Sequence, residues 1–264
     1  TKPKGTVSVW LNGKTVDSDA YELYIAAKGG VNGKYCAHLF EGFTNLTSIN
    51  FHDAFHTDYA ESMEGMFSRC RKLENLDVSC LETSRVRNMR RMFEDCPVKS
   101  LDLSHFDTAN VEDMYQMFDS CSKLTSLDLR NFNTSKVTNM GDMFSMTSLL
   151  KDLDISSFDT SRVTDMSFMF SFSAVESLDL SHFDTSQLNT ISYMFSNNSA
   201  LHTVDVTGWD TSNVVHMTGT FSDCEALDTI SGILSWDTSK VEYHDDFMDE
   251  GTRINGKPWE DLFK

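Results

Sequence analysis

Phe158-Asp159-Thr160-Ser161-Arg162-Val163-Thr164-Asp165-Met166-Ser167-Phe168-Met169-Phe170 returns, with substitutions, along almost the whole chain. Its closing phenylalanine stands at Phe40, Phe67, Phe93, Phe118, Phe144, Phe170, Phe195, Phe221 and Phe247, always 25 to 27 residues from the next. Self-similarity at this period marks a repeat array, in which a single unit cannot bury its own apolar face and gains stability by stacking on its neighbours. A chain of 264 residues could hold two globular domains, but an unbroken repeat argues for one elongated domain.

A representative unit runs Leu124-x-x-Leu127-Asp128-Leu129-x-x-Phe132-Asn133-Thr134-Ser135-x-Val137-x-x-Met140-x-x-Met143-Phe144. Leu127 and Leu129 flank a polar residue with period two, the pattern of a short strand with one face in the core. Val137, Met140, Met143 and Phe144 recur at i, i+3, i+6 and i+7, one face of a helix, and Asn133-Thr134-Ser135 supplies its N-cap. The expected unit is strand, turn, helix. Strands stack about 4.8 Å apart whereas helices need about 10 Å, so the helical side splays and the strands line the concave face. A run of threes also permits short 3₁₀-like turns, in which case the curve is shallower.

The ends depart from the unit. Residues 6–16 read as two strands around an Asn12-Gly13 turn, and a helix follows, capped by Ser18 or Asp19 with Glu22 three residues on and stopped at Gly29-Gly30. Residues 1–35 are therefore an N-terminal cap of hairpin plus helix, residues 36–247 a solenoid of about nine coils, and residues 248–264 a C-terminal cap in which Asn255-Gly256 turns and Trp259, Leu262 and Phe263 cover the last coil. Insertions fall at 52–58 and 230–233. The opening Thr-Lys-Pro-Lys-Gly, without an initiator methionine or apolar export segment, reads as the start of a mature or excised fragment.

Forty acidic against 22 basic residues give a formal charge of -18, which disfavours nucleic acid and anionic membrane as partners. No apolar run is long enough to span a membrane. Cys70, Cys96, Cys121 and Cys224 each follow a repeat phenylalanine by three, a column otherwise filled by Phe43, Thr147, Ser173 or Asn198. That makes them buried thiols of the repeat rather than a disulfide framework, although stacked neighbours such as Cys70 and Cys96 come within bridging range if oxidised.

Leu-Asp-Leu-Ser-x-Phe-Asp-Thr-Ser-x-Val-x-x-Met-x-x-Met-Phe-x-x-Cys-x-x-Leu, nearly whole at 101–124 and 178–201, resembles the 26-residue repeat of BspA-like leucine-rich-repeat surface proteins over residues 36 to 247. The resemblance implies an α/β solenoid, leucine-rich-repeat-like and right-handed, on a bacterial cell surface, acting in adhesion to host or matrix proteins. It implies no enzyme activity, no cofactor and no fixed set of binding residues.

Candidate sites are therefore read from columns. Asp77, Asp102, Asp128, Asp154, Asp179 and Asp205 stand between the strand leucines of six successive coils and form a concave acidic row. Three readings remain for it: a ladder held by flanking serines and backbone amides, a strip that recruits a cationic partner, or a calcium site. Asp107, Asp159, Asp184, Asp210 and Asp237 are helix caps. Arg69, Arg71, Arg85, Arg87, Arg90 and Arg91 form a basic patch, either solvated and paired with nearby acids or a docking surface for an anionic polymer or an acidic end of another copy.

Positions that break the repeat carry more information. Phe168 and Tyr193 fill a column that elsewhere holds Gly65, Arg91, Gln116, Asp142 and Gly219; Phe172 lies four residues past Phe168, and Met146 shares its column one coil earlier. These four are the candidate partner-binding patch, against the alternative of packing between helices. His52 and His56, with Asp53 and Asp58 nearby, are a weak metal arrangement, and no zinc pattern, serine nucleophile or phosphate loop occurs. The expected function is a non-enzymatic, adhesin-like surface module, secreted and displayed outside the cell, that binds a host or neighbouring-cell surface protein, matrix protein or glycan. The alternative is a structural spacer that holds another domain away from the envelope.

Overall fold

The structure is a computed structural model and describes residues 8–12, 21–26, 31–32, 34–51, 55–254 and 257–264. One coil, Ser100 to Thr125, shows the path that the others repeat. It starts with a short strand, Ser100–Leu101, whose serine is exposed and whose leucine is buried. Three carboxylates then bend the chain. Asp102 Oδ1 accepts the N–H of Ser104, Asp107 Oδ1 accepts the N–H of Ala109, and Asp113 Oδ1 accepts the N–H of Tyr115. Each is an Asx turn, in which a short acceptor side chain replaces a backbone carbonyl two residues back.

The segment Met114–Cys121 is a succession of turns. Met117, Asp119 and Cys121 donate to the carbonyls three residues earlier, whereas Met114, Gln116, Phe118 and Ser120 donate across to Asn139, Gly141, Met143 and Ser145 of the next coil, at 2.9 to 3.1 Å. Gln116 and Ser120 take left-handed φ values of 56° and 59°. Alternate N–H groups thus leave the coil, and left-handed residues recur every four positions.

These features correct the expected helices. Val137–Phe144 and its equivalents, including Val241–Phe247, contain no α-helix; a left-handed residue breaks the φ/ψ run an α-helix needs. Asp159, Thr160 and Ser161 accordingly start a turn rather than a helix. With the turn side of each coil hydrogen-bonded directly to the next coil, the spacing mismatch that predicted a splayed convex face disappears. From Phe40 to Phe221 the repeat phenylalanines stack ring on ring, with centroids 5.0 to 5.9 Å apart.

Twelve short strands occur among the described residues. β1 (Ser8–Asn12) pairs antiparallel with β2 (Tyr21–Ala26), which pairs parallel with β4 (Leu46–Asn50). β3 (Val31–Asn32) pairs with β5 (Phe55–His56). The repeat strands β6 (Ser100–Leu101) and β7 (Ser126–Leu127) pair in parallel, as do β8 (Ser177–Asp179), β9 (Thr203–Asp205) and β10 (Thr229–Ser231), with Leu178, Val204 and Ile230 in register. β11 (Arg253–Ile254) and β12 (Lys257–Pro258) close the chain.

β2 corrects the N-terminal helix. Tyr21–Ala26 finds ladder partners on both sides, in β1 and β4, and tertiary pairing overrides a local capping signal. Ser18, Asp19, Gly13 and Gly29-Gly30 lie outside the described residues, as do Asn255-Gly256. At the far end Trp259–Phe263 is a 3₁₀ turn, and Trp259 and Phe263 pack on Phe247 with centroids 5.8 and 5.2 Å away.

A second ladder runs through the core beside the phenylalanines. Buried threonines of a single column stitch each coil to the next. Thr134 Oγ1 donates to the Asp159 carbonyl at 2.8 Å and accepts the Asp159 N–H at 2.8 Å. Thr57, Thr83, Thr108 and Thr185 make the same double contact. A buried hydroxyl that both gives and takes a hydrogen bond satisfies backbone groups that a turn leaves open.

Candidate functional site

The strand-side aspartates each close a local turn. Ser104, Ser156 and Ser181 donate both N–H and Oγ to Asp102, Asp154 and Asp179, with Oγ at 2.7 Å. Ser79 and Thr207 donate N–H to Asp77 and Asp205. These donors hold the Asp77, Asp102, Asp154 and Asp179 carboxyls below the ordinary carboxylate range, because hydrogen bonds to the ionised form favour it. Asp128 pairs instead with the Arg130 guanidinium, which brings its carboxyl down to about 2. The row thus stands as separate turn acceptors. The second column does likewise: Asp159, Asp184, Asp210 and Asp237 accept the N–H two residues on.

The basic patch is threaded with carboxylates from adjoining coils. Arg71 meets Asp95 at 2.7 Å, Arg87 meets Glu112 at 2.8 Å, and Arg90 approaches Glu64 at 3.9 Å. Arg91 grips Glu94 through two nitrogens, while Arg69 lies 3.9 Å from the same carboxylate. Arg85 lies over the Tyr59 ring. Burial alone would raise the Glu94 carboxyl, but Arg91 and the Ser68 hydroxyl outweigh it and hold it low. A cationic surface so interleaved with acids offers little net attraction to an anionic polymer.

The four patch residues share one backbone property. Phe168, Phe172, Tyr193 and Met146 have φ of 58°, 53°, 57° and 56°, the left-handed region that costs a non-glycine residue roughly 1–2 kcal/mol. Phe168 stacks on Tyr193 with centroids 4.8 Å apart and planes 16° from parallel. Phe168, Phe172 and Met146 stay 37%, 46% and 47% exposed. The segments that carry them are turns rather than helices, and the stack of Phe168 on Tyr193 is packing between successive coils. Leu149, three residues after Met146, is a further exposed apolar residue that the column comparison missed.

Beside the patch two carboxylates lack a cation of their own. The column that holds Glu94 continues as Asp119, and the left-handed column that holds Arg91 continues as Gln116 and then Asp142. Asp119 therefore loses the arginine that Glu94 enjoys. Burial, and then repulsion from Asp142, push the Asp119 carboxyl up to about 6. Burial likewise pushes Asp142 up to about 6, despite a hydrogen bond from Tyr115, with Asp165 adding repulsion. Sequence reading passed over both, because each is ordinary in its own coil and unusual only beside its neighbours.

The sequence decides the family. The description "Mycoplasma protein of unknown function, DUF285" matches residues 34–153, 120–203 and 171–260, which takes in nearly the whole array. This chain belongs to the DUF285 family. The DUF285 chain is also similar to a crystal structure of a leucine-rich repeat protein from Bacteroides ovatus, at 15% identity and a TM-score of 0.34, with 93% of this chain and 78% of that one covered. No curated protein matches it.

In this DUF285 chain the thiols serve the backbone. Cys70, Cys121 and Cys224 point Sγ at the carbonyls of Phe40, Phe93 and Phe195, at 3.1, 3.2 and 2.9 Å, and Asn198 donates to two such carbonyls in its own turn. Burial pushes Cys70 and Cys224 up to about 12 and raises Cys96 and Cys121 as well, so these four free thiols are poor nucleophiles. Among the described residues no three His, Cys, Asp or Glu side chains converge as a metal site; His52 and Asp53 lie outside those residues.

Proposed function

We propose that this DUF285 chain is a non-enzymatic, adhesin-like binding module of the BspA-like kind, a right-handed solenoid on a bacterial cell surface that presents its repeats to a host or neighbouring-cell surface protein, matrix protein or glycan. One observation supports this above the others. Phe168, Phe172 and Met146 are held half-exposed in a strained backbone conformation, at columns where glycine or a polar residue serves the coil equally well. Apolar side chains kept half-exposed at left-handed positions, with the stack of Phe168 on Tyr193 as a packing return, point to use at the surface. The polar columns, by contrast, are spent on turns and ion pairs within the array among the described residues.

The test is a binding screen against extracellular-matrix proteins and glycans, repeated with Phe168→Ser, Phe172→Ser and Tyr193→Ser. The expected result is a ligand whose affinity falls at least about tenfold in the triple variant, the loss of one to two anchoring aromatics. A ligand bound equally well by the variant removes the patch from the reading.

A further inference from the structure

Asp119 touches the apolar patch through a shared hydroxyl, and Asp142 lies in the column of Phe168 one coil earlier. The Ser120 hydroxyl lies 3.2 Å from Asp119 Oδ1 and 3.5 Å from Met146 Sδ, so one hydroxyl touches both the carboxylate and the patch. Asp142 precedes Phe168 in the same left-handed column, one coil earlier, and its N–H bonds to the carbonyl of Ser167 at 2.7 Å. The pair sits where the arginine-bearing coils give way to the aromatic ones.

The surroundings leave both charges poorly compensated. Asp119 faces Asp142 and Glu94 as like charges, with the Ser120 and Ser145 hydroxyls as donors. Asp142 faces Asp165 as a like charge, the Tyr115 hydroxyl as a donor, and Arg90 as the cation within reach. That cation is shared: Arg90 lies over the Tyr115 ring, 4.1 Å from its centroid, and beside Glu64 at 3.9 Å. Asp113, half-buried and itself raised by burial, draws on the same Arg90.

We propose that Asp119 and Asp142 form a proton-operated control on the patch of Met146, Phe168, Phe172 and Tyr193, which engages an apolar partner surface tightly in mildly acidic medium and weakly at neutral pH. Covering the patch takes remaining water from the two carboxyls, and a carboxyl that is neutral loses far less by this than a carboxylate. The inference rests on the binding-module reading and adds its regulation. Folding stability carries the same sign, by linkage. Both groups bind their proton more tightly in the folded chain than in the unfolded one, so their stabilising contribution is complete below about 3.8 and is lost as pH rises through about 6.

Two measurements on the intact chain test the proposal. Carboxyl carbon resonances of Asp119 and Asp142 are followed by NMR from acid to neutral pH together with the ring resonances of Phe168 and Tyr193. Titration in the region of 6, drawn apart into two steps by the repulsion between the pair and followed by the rings, is expected, and the ring response disappears in Asp119→Asn/Asp142→Asn. Carboxyls that titrate in the ordinary range, or rings that ignore them, overturn the proposal.

Nile red, a neutral apolar dye, is then titrated at about pH 5 and about pH 7.5. If the occupied patch requires neutral carboxyls, binding is at least about tenfold tighter at the lower pH, and equal at both in the double variant. Absent or pH-independent binding to the unmodified chain, or an undiminished pH effect in the variant, overturns the proposal. The NMR titration needs no partner, so its failure leaves the binding-module reading intact, and failure to find a biological ligand leaves the titration intact.

Discussion

The Tyr193 ring lies directly over Gly219: a Cβ placed on that glycine would meet two ring carbons at 2.3 and 2.4 Å. Gly219 also has φ +59°, so it answers two demands at once, a left-handed backbone and a seat for the ring from the preceding coil. The same ring stacks on Phe168, which makes the glycine the floor of the aromatic pair.

Gly219→Ala is therefore expected to destabilise the chain and release the pair. The left-handed alanine costs roughly 1 kcal/mol, and turning Tyr193 aside forfeits a stack worth about 0.5–1.5 kcal/mol. Denaturant unfolding measures the sum, and ring-current shifts of Phe168 report the lost stack. An alanine variant with unchanged stability and unchanged shifts would show that Tyr193 does not rest on Gly219.

Thr134 offers a cleaner dissection of the core ladder. Thr134→Val keeps the shape but strips both hydrogen bonds to the Asp159 peptide, which leaves buried backbone groups unpaired at a cost of roughly 1–3 kcal/mol. Thr134→Ser keeps the hydroxyl and should lose less, chiefly the methyl contact. Thermal melts of the two variants decide the matter, since a valine as stable as wild type would mean the hydroxyl is dispensable.

These two ladders show where the sequence is legible and where it is not. The apolar columns are plain because their Leu, Met and Phe are buried at nearly every recurrence, Leu153 and Leu227 being partly so, and burial needs no knowledge of partners. The convex segment misleads because Val137, Met140 and Met143 step by threes, a spacing shared by a helix and a string of i→i+3 turns. What separates them is backbone handedness, hinted at only by scattered left-handed-tolerant residues such as Gly65, Asp95, Asn197 and Gly219. The threonine ladder was present as an unbroken column from Thr57 to Thr238, yet its meaning lies between coils: Thr134 bonds a peptide 25 residues away. The patch was visible as a departure from its columns, but its strain was not, since φ cannot be read from Phe168 itself.

On the strand side, Asp128→Asn combined with Asp154→Asn should leave the neutral-pH melting temperature within about 2 °C of wild type or raise it. An asparagine oxygen still accepts the N–H of residue 130 or 156, and the change removes two like charges from the row. The pH profile carries a sign. The folded-state Asp128 and Asp154 carboxyls lie below their ordinary value, so their contribution is present above the unfolded value near 3.8 and is lost as pH falls through the folded one. The double variant should therefore lose less stability on acidification than wild type. A large loss at neutral pH would show that the charges themselves hold the turns.

Phe168 and Phe170 stand two residues apart and should answer substitution in opposite ways. Phe170 is wholly buried between Phe144 and Phe195, and Phe170→Ala is expected to cost about 3–5 kcal/mol. Phe168→Asn removes an exposed ring from a left-handed position that asparagine tolerates; relief of strain offsets the lost Tyr193 stack, and stability should move by less than about 1 kcal/mol. Equilibrium unfolding of both variants gives the comparison. A Phe168→Asn loss as large as that of Phe170→Ala would make Phe168 a structural residue after all and leave the patch without its reason to be exposed. Near-equal stability with lost affinity, in the same preparation, is the outcome that a residue kept for its surface requires.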